Sequence, residues 1–146
     1  MREIKFRAWD EGSDRMIFQH DMNCVTGNKE YYFSLYEESV ELLHYDEDYS
    51  AYVNCNAELM QYIGLKDKNG KEIYEGDIVK FLDEVNHSHY GVEYDEFINI
   101  GKVIFSHDEL IGWDITNRKM DLNEVWHHRE YIEVIGNIYE NPESLK

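Results

Sequence analysis

The chain has 146 residues, 42% of them hydrophobic and 14% aromatic, which excludes disorder for want of apolar material and suits one domain, or a small domain with an extension, that needs no staple. Thirty-one acids against 14 bases give a formal net charge of −17. Residues 1–60 carry 13 acids and 5 bases and residues 61–146 carry 18 and 9, so neither half offers the basic footprint that nucleic acid requires.

The start, MREIKFRAWD, alternates charged and apolar residues and lacks the apolar core of a signal peptide, and no later run reaches membrane-spanning length. A cytoplasmic protein without a membrane partner is the expectation. Ile4, Phe6 and Ala8 alternate with Lys5, Arg7 and Trp9, the period of a strand, and Asp10 to Asp14 turns the chain into Arg15-Met16-Ile17-Phe18 as a first hairpin. Gln19 to Asn28 is polar and irregular. From Glu30 to Tyr45 the chain becomes aromatic and acidic. Tyr31, Phe33 and Leu35 alternate there, then Val40, Leu42 and His44, and we read strands. A helix over Ser34–Tyr45 competes, because Glu37, Glu38 and Glu41 favour it.

Asp46 to Glu58 shows no period and reads as a connection. The pattern sharpens at Leu59, where Asn69-Gly70 predicts a two-residue hairpin turn of type I′, with positive φ at both central positions. Glu75-Gly76-Asp77 makes a second turn into Ile78-Val79-Lys80-Phe81. Asp83 to Asn99 holds few aliphatic residues, five acids and two histidines, which predicts a long mobile loop or an extended hairpin tip. Gly101–Phe105 and Gly112–Ile115 read as short strands of a meander. Met120 to Glu130 predicts the one short helix, with Asp121 as N-cap. Tyr131 to Tyr139 alternates again and ends at Asn141-Pro142.

Four blocks together, MREIKFRAWD, LMQYIGLKDKNGKEIYEGDIVK, GKVIF and EVIGNIYENPE, resemble the YopX family of phage and prophage proteins. The resemblance implies a mainly β protein: residues 1–58 as an N-terminal β extension, and residues 59–146 as a small SH3-like β-barrel domain. It also implies viral or prophage origin. It brings no activity and no catalytic residue, and a small barrel fold supplies neither.

The residues were tested for chemistry on their own. Gly64 to Glu72 superficially resembles a phosphate-binding loop but has five residues between its glycines and Glu72 where a Ser or Thr would hold magnesium. Ser106-His107-Asp108 holds the residue types of a hydrolase triad in consecutive positions, which point to opposite faces of an extended chain. His87-Ser88-His89 is the best metal candidate, His87 and His89 falling on one side of a strand, yet no cysteine nearby completes a set and an unliganded loop is the plainer reading. Cys24 and Cys55 form no C-x-x-C pair and read as reduced, buried thiols. No cofactor is expected, and no enzyme.

What remains is a non-catalytic protein-binding module with an acidic surface, its partner a host or phage protein. Glu37, Glu38, Glu41, Asp46, Glu47 and Asp48, without an intervening Lys or Arg, are the candidate binding residues. A solvated face is the plain reading of such a run; the sharper alternative is imitation of DNA phosphates to occupy a basic nucleic-acid site. A nucleic-acid accessory protein, with Lys66, Lys68 and Lys71 as contacts, and a metal-dependent enzyme around His87 and His89 are the further alternatives. Exposed edge strands would also allow a homo-oligomer.

Overall fold

The computed structural model describes residues 3–18, 31–36, 39–86, 94–106 and 112–145. Among them the chain forms eleven strands, one six-residue α-helix and 3-10 turns at Arg129–Tyr131 and Pro142–Leu145, a mainly β protein. It divides into two compact units, Met1–Tyr62 and Ile63–Lys146.

In the first unit, β1 (Phe6–Asp10) and β2 (Arg15–Phe18) form the expected hairpin, with Arg7 opposite Phe18 and Asp10 opposite Arg15. Asp10 fixes its turn by accepting from the Gly12 N–H at 3.0 Å and the Ser13 hydroxyl at 2.7 Å, the local bonding that makes Asp a turn residue. On its other edge β1 pairs antiparallel with the start of β6 (Glu58–Lys66), Phe6 opposite Gln61 and Trp9 opposite Glu58. Arg7, Ala8, Trp9 and Asp10 are all buried, so β1 is covered on both faces.

The other strands of this unit, β3 (Tyr31–Tyr36), β4 (Ser39–Asp46) and β5 (Ala51–Asn54), make an antiparallel meander. The competing helix over Ser34–Tyr45 is therefore absent: Leu35 stands opposite Val40 and Phe33 opposite Leu42 across a hairpin, a pairing that aromatic and β-branched residues favour. β5 corrects the reading of Asp46 to Glu58 as a bare connection. Its four residues are mostly exposed, and a short, wet edge strand leaves no apolar alternation to read. Leu42 points inward and packs with Ala8 and Ile17, joined by the partly buried Cys55, Ala57 and Leu59.

The second unit takes up the end of β6, then β7 (Glu72–Tyr74), β8 (Asp77–Asn86), β9 (Tyr94–Ser106), β10 (Gly112–Ile115) and β11 (Glu133–Asn137). The last four form a sheet in the order β10-β9-β8-β11. Its core includes Ile73, Val79, Phe81, Val103 and Ile132, each fully buried, and burial of Phe81 alone contributes about 2 to 3 kcal/mol. Gly101 lies opposite Val79, where a Cβ would sit 2.1 Å from the Thr116 carbonyl oxygen, so only glycine lets the chain after β10 approach β9 so closely.

One open alternative is decided here and one expectation changes. The segment Asp83 to Asn99 is an extended hairpin: β8 runs to Asn86, β9 begins at Tyr94, and Asp83 pairs with Phe97 and Glu84 with Glu96. Asp95, Glu96, Phe97 and Ile98 of β9 are all exposed, and a strand stretch open to water on both faces needs none of the alternation by which a strand is recognised. The turn at Asn69-Gly70 is not type I′. Gly70 has φ +82°, but Asn69 is not among the residues with positive φ; the Gly70 N–H returns to the Asp67 carbonyl at 2.9 Å. That is the geometry of a type I turn followed by a left-handed glycine. The predicted helix is α1 (Leu122–His127), and the Asp121 carboxylate caps it, accepting the Asn123 N–H at 2.9 Å.

Candidate functional site

From Lys29 to Lys66 the sequence contains no further Lys or Arg, and this stretch includes all of β3, β4 and β5. Period-two alternation puts Leu42 and His44 of β4 on the core side and Glu41, Leu43 and Tyr45 on the other. On that outer side Tyr45 stands opposite Tyr52 of β5, their rings edge to face with centroids 5.3 Å apart. Asp46 opposite Ala51 closes the hairpin, and one Asp46 oxygen accepts the N–H groups of Asp48 at 2.9 Å and Tyr49 at 3.2 Å. This Asx turn leaves Glu47, Asp48 and Tyr49 in water, Tyr49 at 76% exposure and Tyr52 at 45%.

Of the six acidic candidates, the structure thus gathers Asp46, Glu47 and Asp48 in one turn, and sets Glu41 on the same outer side of β4, about 13 Å along the strand from Tyr45. Asp46 has a folding role in the turn as well as a charge. Glu37 and Glu38 lie outside the described residues. Aromatic partners for the acids were missed from sequence, since only the register of β4 against β5 shows that Tyr45 meets Tyr52. Chemically the patch offers carboxylates to accept from guanidinium or ammonium groups, and ring faces on which such cations rest.

The second unit's notable carboxylates do something different. Asp83 is fully buried. It accepts the N–H groups of Glu84, Lys119 and Met120 at 3.0, 2.9 and 2.7 Å and the Asn99 amide at 2.8 Å. Burial acts to raise its pKa, but the Asn99 amide and the three backbone donors outweigh it and hold the carboxyl below its ordinary 3.8. Asp67 accepts from Asn69, Lys71 and Val134 at 2.8, 2.9 and 3.0 Å; there too the donors, with the Lys71 charge, overcome burial and lower the pKa. Burial at Asp114 is likewise outweighed by the Arg118 guanidinium, 2.6 Å away, and by the Ile115 N–H. These groups are ionised acceptors that stitch turns to strands, and none is tuned as a proton donor near neutral pH. One signal for Asp83 was legible in the sequence: it continues the inward series Val79, Phe81.

A cleft of about 300 Å3 in the second unit is lined by Lys68, Lys80, Ile98, Glu130, Tyr131 and Glu133. Lys68 and Glu133 pair at 2.6 Å, so its charges are largely opposed within it. The hairpin tip bearing His87 and His89 lies outside the described residues, as do Cys24, His107 and Asp108. Among the described residues no group of three or more His, Cys, Asp or Glu is placed to hold a metal ion, and no helix is long and apolar enough to cross a membrane. The stretch that resembled a phosphate loop runs from β6 through the Asp67 turn to β7, without the helix such a loop opens.

The fold and its surface define a two-unit, mainly β protein whose acids divide between turn-stitching and display. The chain matches the YopX protein family over residues 5–146 and belongs to it. Among solved structures it is similar to protein EF1440 from Enterococcus faecalis, at 24% identity and a TM-score of 0.52, with all of both chains covered; that likeness concerns the fold. A search of curated proteins returned no match.

Proposed function

We propose that this is a non-catalytic binding protein that engages a basic surface on a host or phage protein through the outer face of β4 and β5. The observation that carries the reading is that Glu41, Tyr45 and Tyr52 share that face and the turn joining its strands displays Glu47, Asp48 and Tyr49 to water, in a stretch without Lys or Arg. Acids alone would be a solvated surface. Acids beside exposed rings also offer desolvated contact area, and a basic partner gains from both. The setting we propose is the bacterial cytoplasm, with the protein acting as a phage or prophage accessory factor; membership of the YopX family supports it.

Affinity capture from host lysate tests this, comparing the wild-type chain with a variant carrying Glu41→Gln, Asp46→Asn, Glu47→Gln and Asp48→Asn. Asn keeps the acceptor oxygen that the turn at position 46 uses. A partner enriched at about 0.05 M salt, lost at about 0.5 M and lost with the neutralised variant is the expected result, since exposed charges are screened within a few ångströms at high salt. Capture indifferent to both changes would overturn the proposal. The finer reading, in which the acids imitate DNA phosphates, adds an expectation: duplex DNA competes the partner off.

A further inference from the structure

Behind the acidic face, on the core side of the same sheet, the Nδ1 atom of His44 lies 3.1 Å from the Sγ atom of Cys55. Neither residue is held loosely. His44 is paired in β4, opposite Val53 and Tyr31. Cys55 follows β5 and donates its N–H to the Leu42 carbonyl at 3.0 Å. Beyond it Asn56 takes φ +51°, and the Asn54 side chain accepts the Asn56 N–H at 2.7 Å. The ring and the sulfur are therefore brought together by strand register and a fixed turn. Cys55 is not in a disulfide and is only partly buried.

We propose that Cys55 and His44 form a reactive thiol–imidazole pair, a site of exchange with low-molecular-weight disulfides, independent of the binding role above. The imidazole is placed to accept the S–H proton, which leaves the thiolate that is the nucleophile in thiol chemistry. In the exchange, the Cys55 sulfur bonds to one sulfur of the small disulfide and that disulfide's S–S bond breaks. The other half leaves as a thiolate and recovers the proton from His44. One disulfide is consumed and one formed, so no further oxidant enters. Cys55 packs against the apolar cluster of Ala8, Ile17 and Leu42 from β1, β2 and β4. The register partner of His44 on β3 is Tyr31.

The test is the rate of alkylation by iodoacetamide, then of mixed-disulfide formation with oxidised glutathione, in the full-length Cys24→Ser protein, where Cys55 is the thiol observed. An ordinary thiol, with a pKa of about 8.5, reacts roughly 100-fold more slowly at pH 6.5 than at pH 9. The pair predicts a loss of less than about tenfold over that range, and His44→Asn in the same background should restore the steep dependence. A loss of roughly 100-fold in the Cys24→Ser protein itself overturns the proposal, whether or not the His44 variant folds. So does a shallow dependence that His44→Asn and His44→Gln, both shown folded by circular dichroism, leave unchanged. Protection of Cys55 by zinc alone, with no exchange once zinc is removed, would make it a metal ligand and overturn it as well.

Discussion

Asp83 and Asp48 are the same residue type a few dozen positions apart, and the chain uses them in opposite ways. Asp83 is buried against four donors that link β8, β9 and the segment before α1, whereas Asp48 stands in water at the tip of a hairpin. A composition with 31 acids therefore mixes two populations. The saturated carboxylates of the second unit belong to its stability, and the displayed carboxylates of the first are available to a partner.

The sharpest way to break this comparison is to remove the buried acceptor. Asp83→Ala leaves the N–H groups of Lys119 and Met120 without their acceptor in the interior and should lower stability by about 3 to 5 kcal/mol, read from denaturant unfolding of the full chain. A loss below about 1 kcal/mol would mean that water replaces the carboxylate without difficulty. The pH dependence is a second, smaller discriminator. With folded pKa values held below 3.8 at Asp67, Asp83 and Asp114, the unfolded chain takes up protons first as acid is added. The contribution is thus complete above pH 3.8 and disappears as the pH falls through the lowered folded values. The stability gap between wild type and Asp83→Ala should narrow in that acid range; a gap constant from pH 5 to pH 2 would sink the assignment. Smallest of all, the four neutralising changes in the acidic patch should move stability by less than about 1 kcal/mol while abolishing capture of a basic partner. A larger loss would place those acids in the first population.

Most strands were legible because β1, β3, β4 and β11 carry alternation and turn signals bound β2, β8 and β10, and the Asp121 cap announced α1. Three things were hidden for separate reasons. The Asn69-Gly70 dipeptide marks a hairpin, but Asp67 two residues earlier captures the N–H groups of Asn69 and Lys71 and so selects a turn with a single left-handed residue. Asp95 to Ile98 of β9 are exposed on both faces, and nothing in Asp95 or Glu96 separates such a strand from a loop. At the candidate site the acidic run was visible, but the Tyr45–Tyr52 and His44–Cys55 contacts join residues 7 and 11 positions apart. They depend on the β4–β5 register, which no single strand encodes.

The absence of Lys and Arg between Lys29 and Lys66 has a practical consequence for mass spectrometry. Trypsin finds no cleavage point across β3, β4 and β5, so a complete digest releases them as one 37-residue peptide, Glu30 to Lys66. That fragment contains the acidic turn, both members of the Tyr45–Tyr52 pair, His44 and Cys55. A cross-link to a partner at the outer face and a disulfide adduct at the inner face would be recorded on the same ion, and their co-occurrence or mutual exclusion could be counted molecule by molecule.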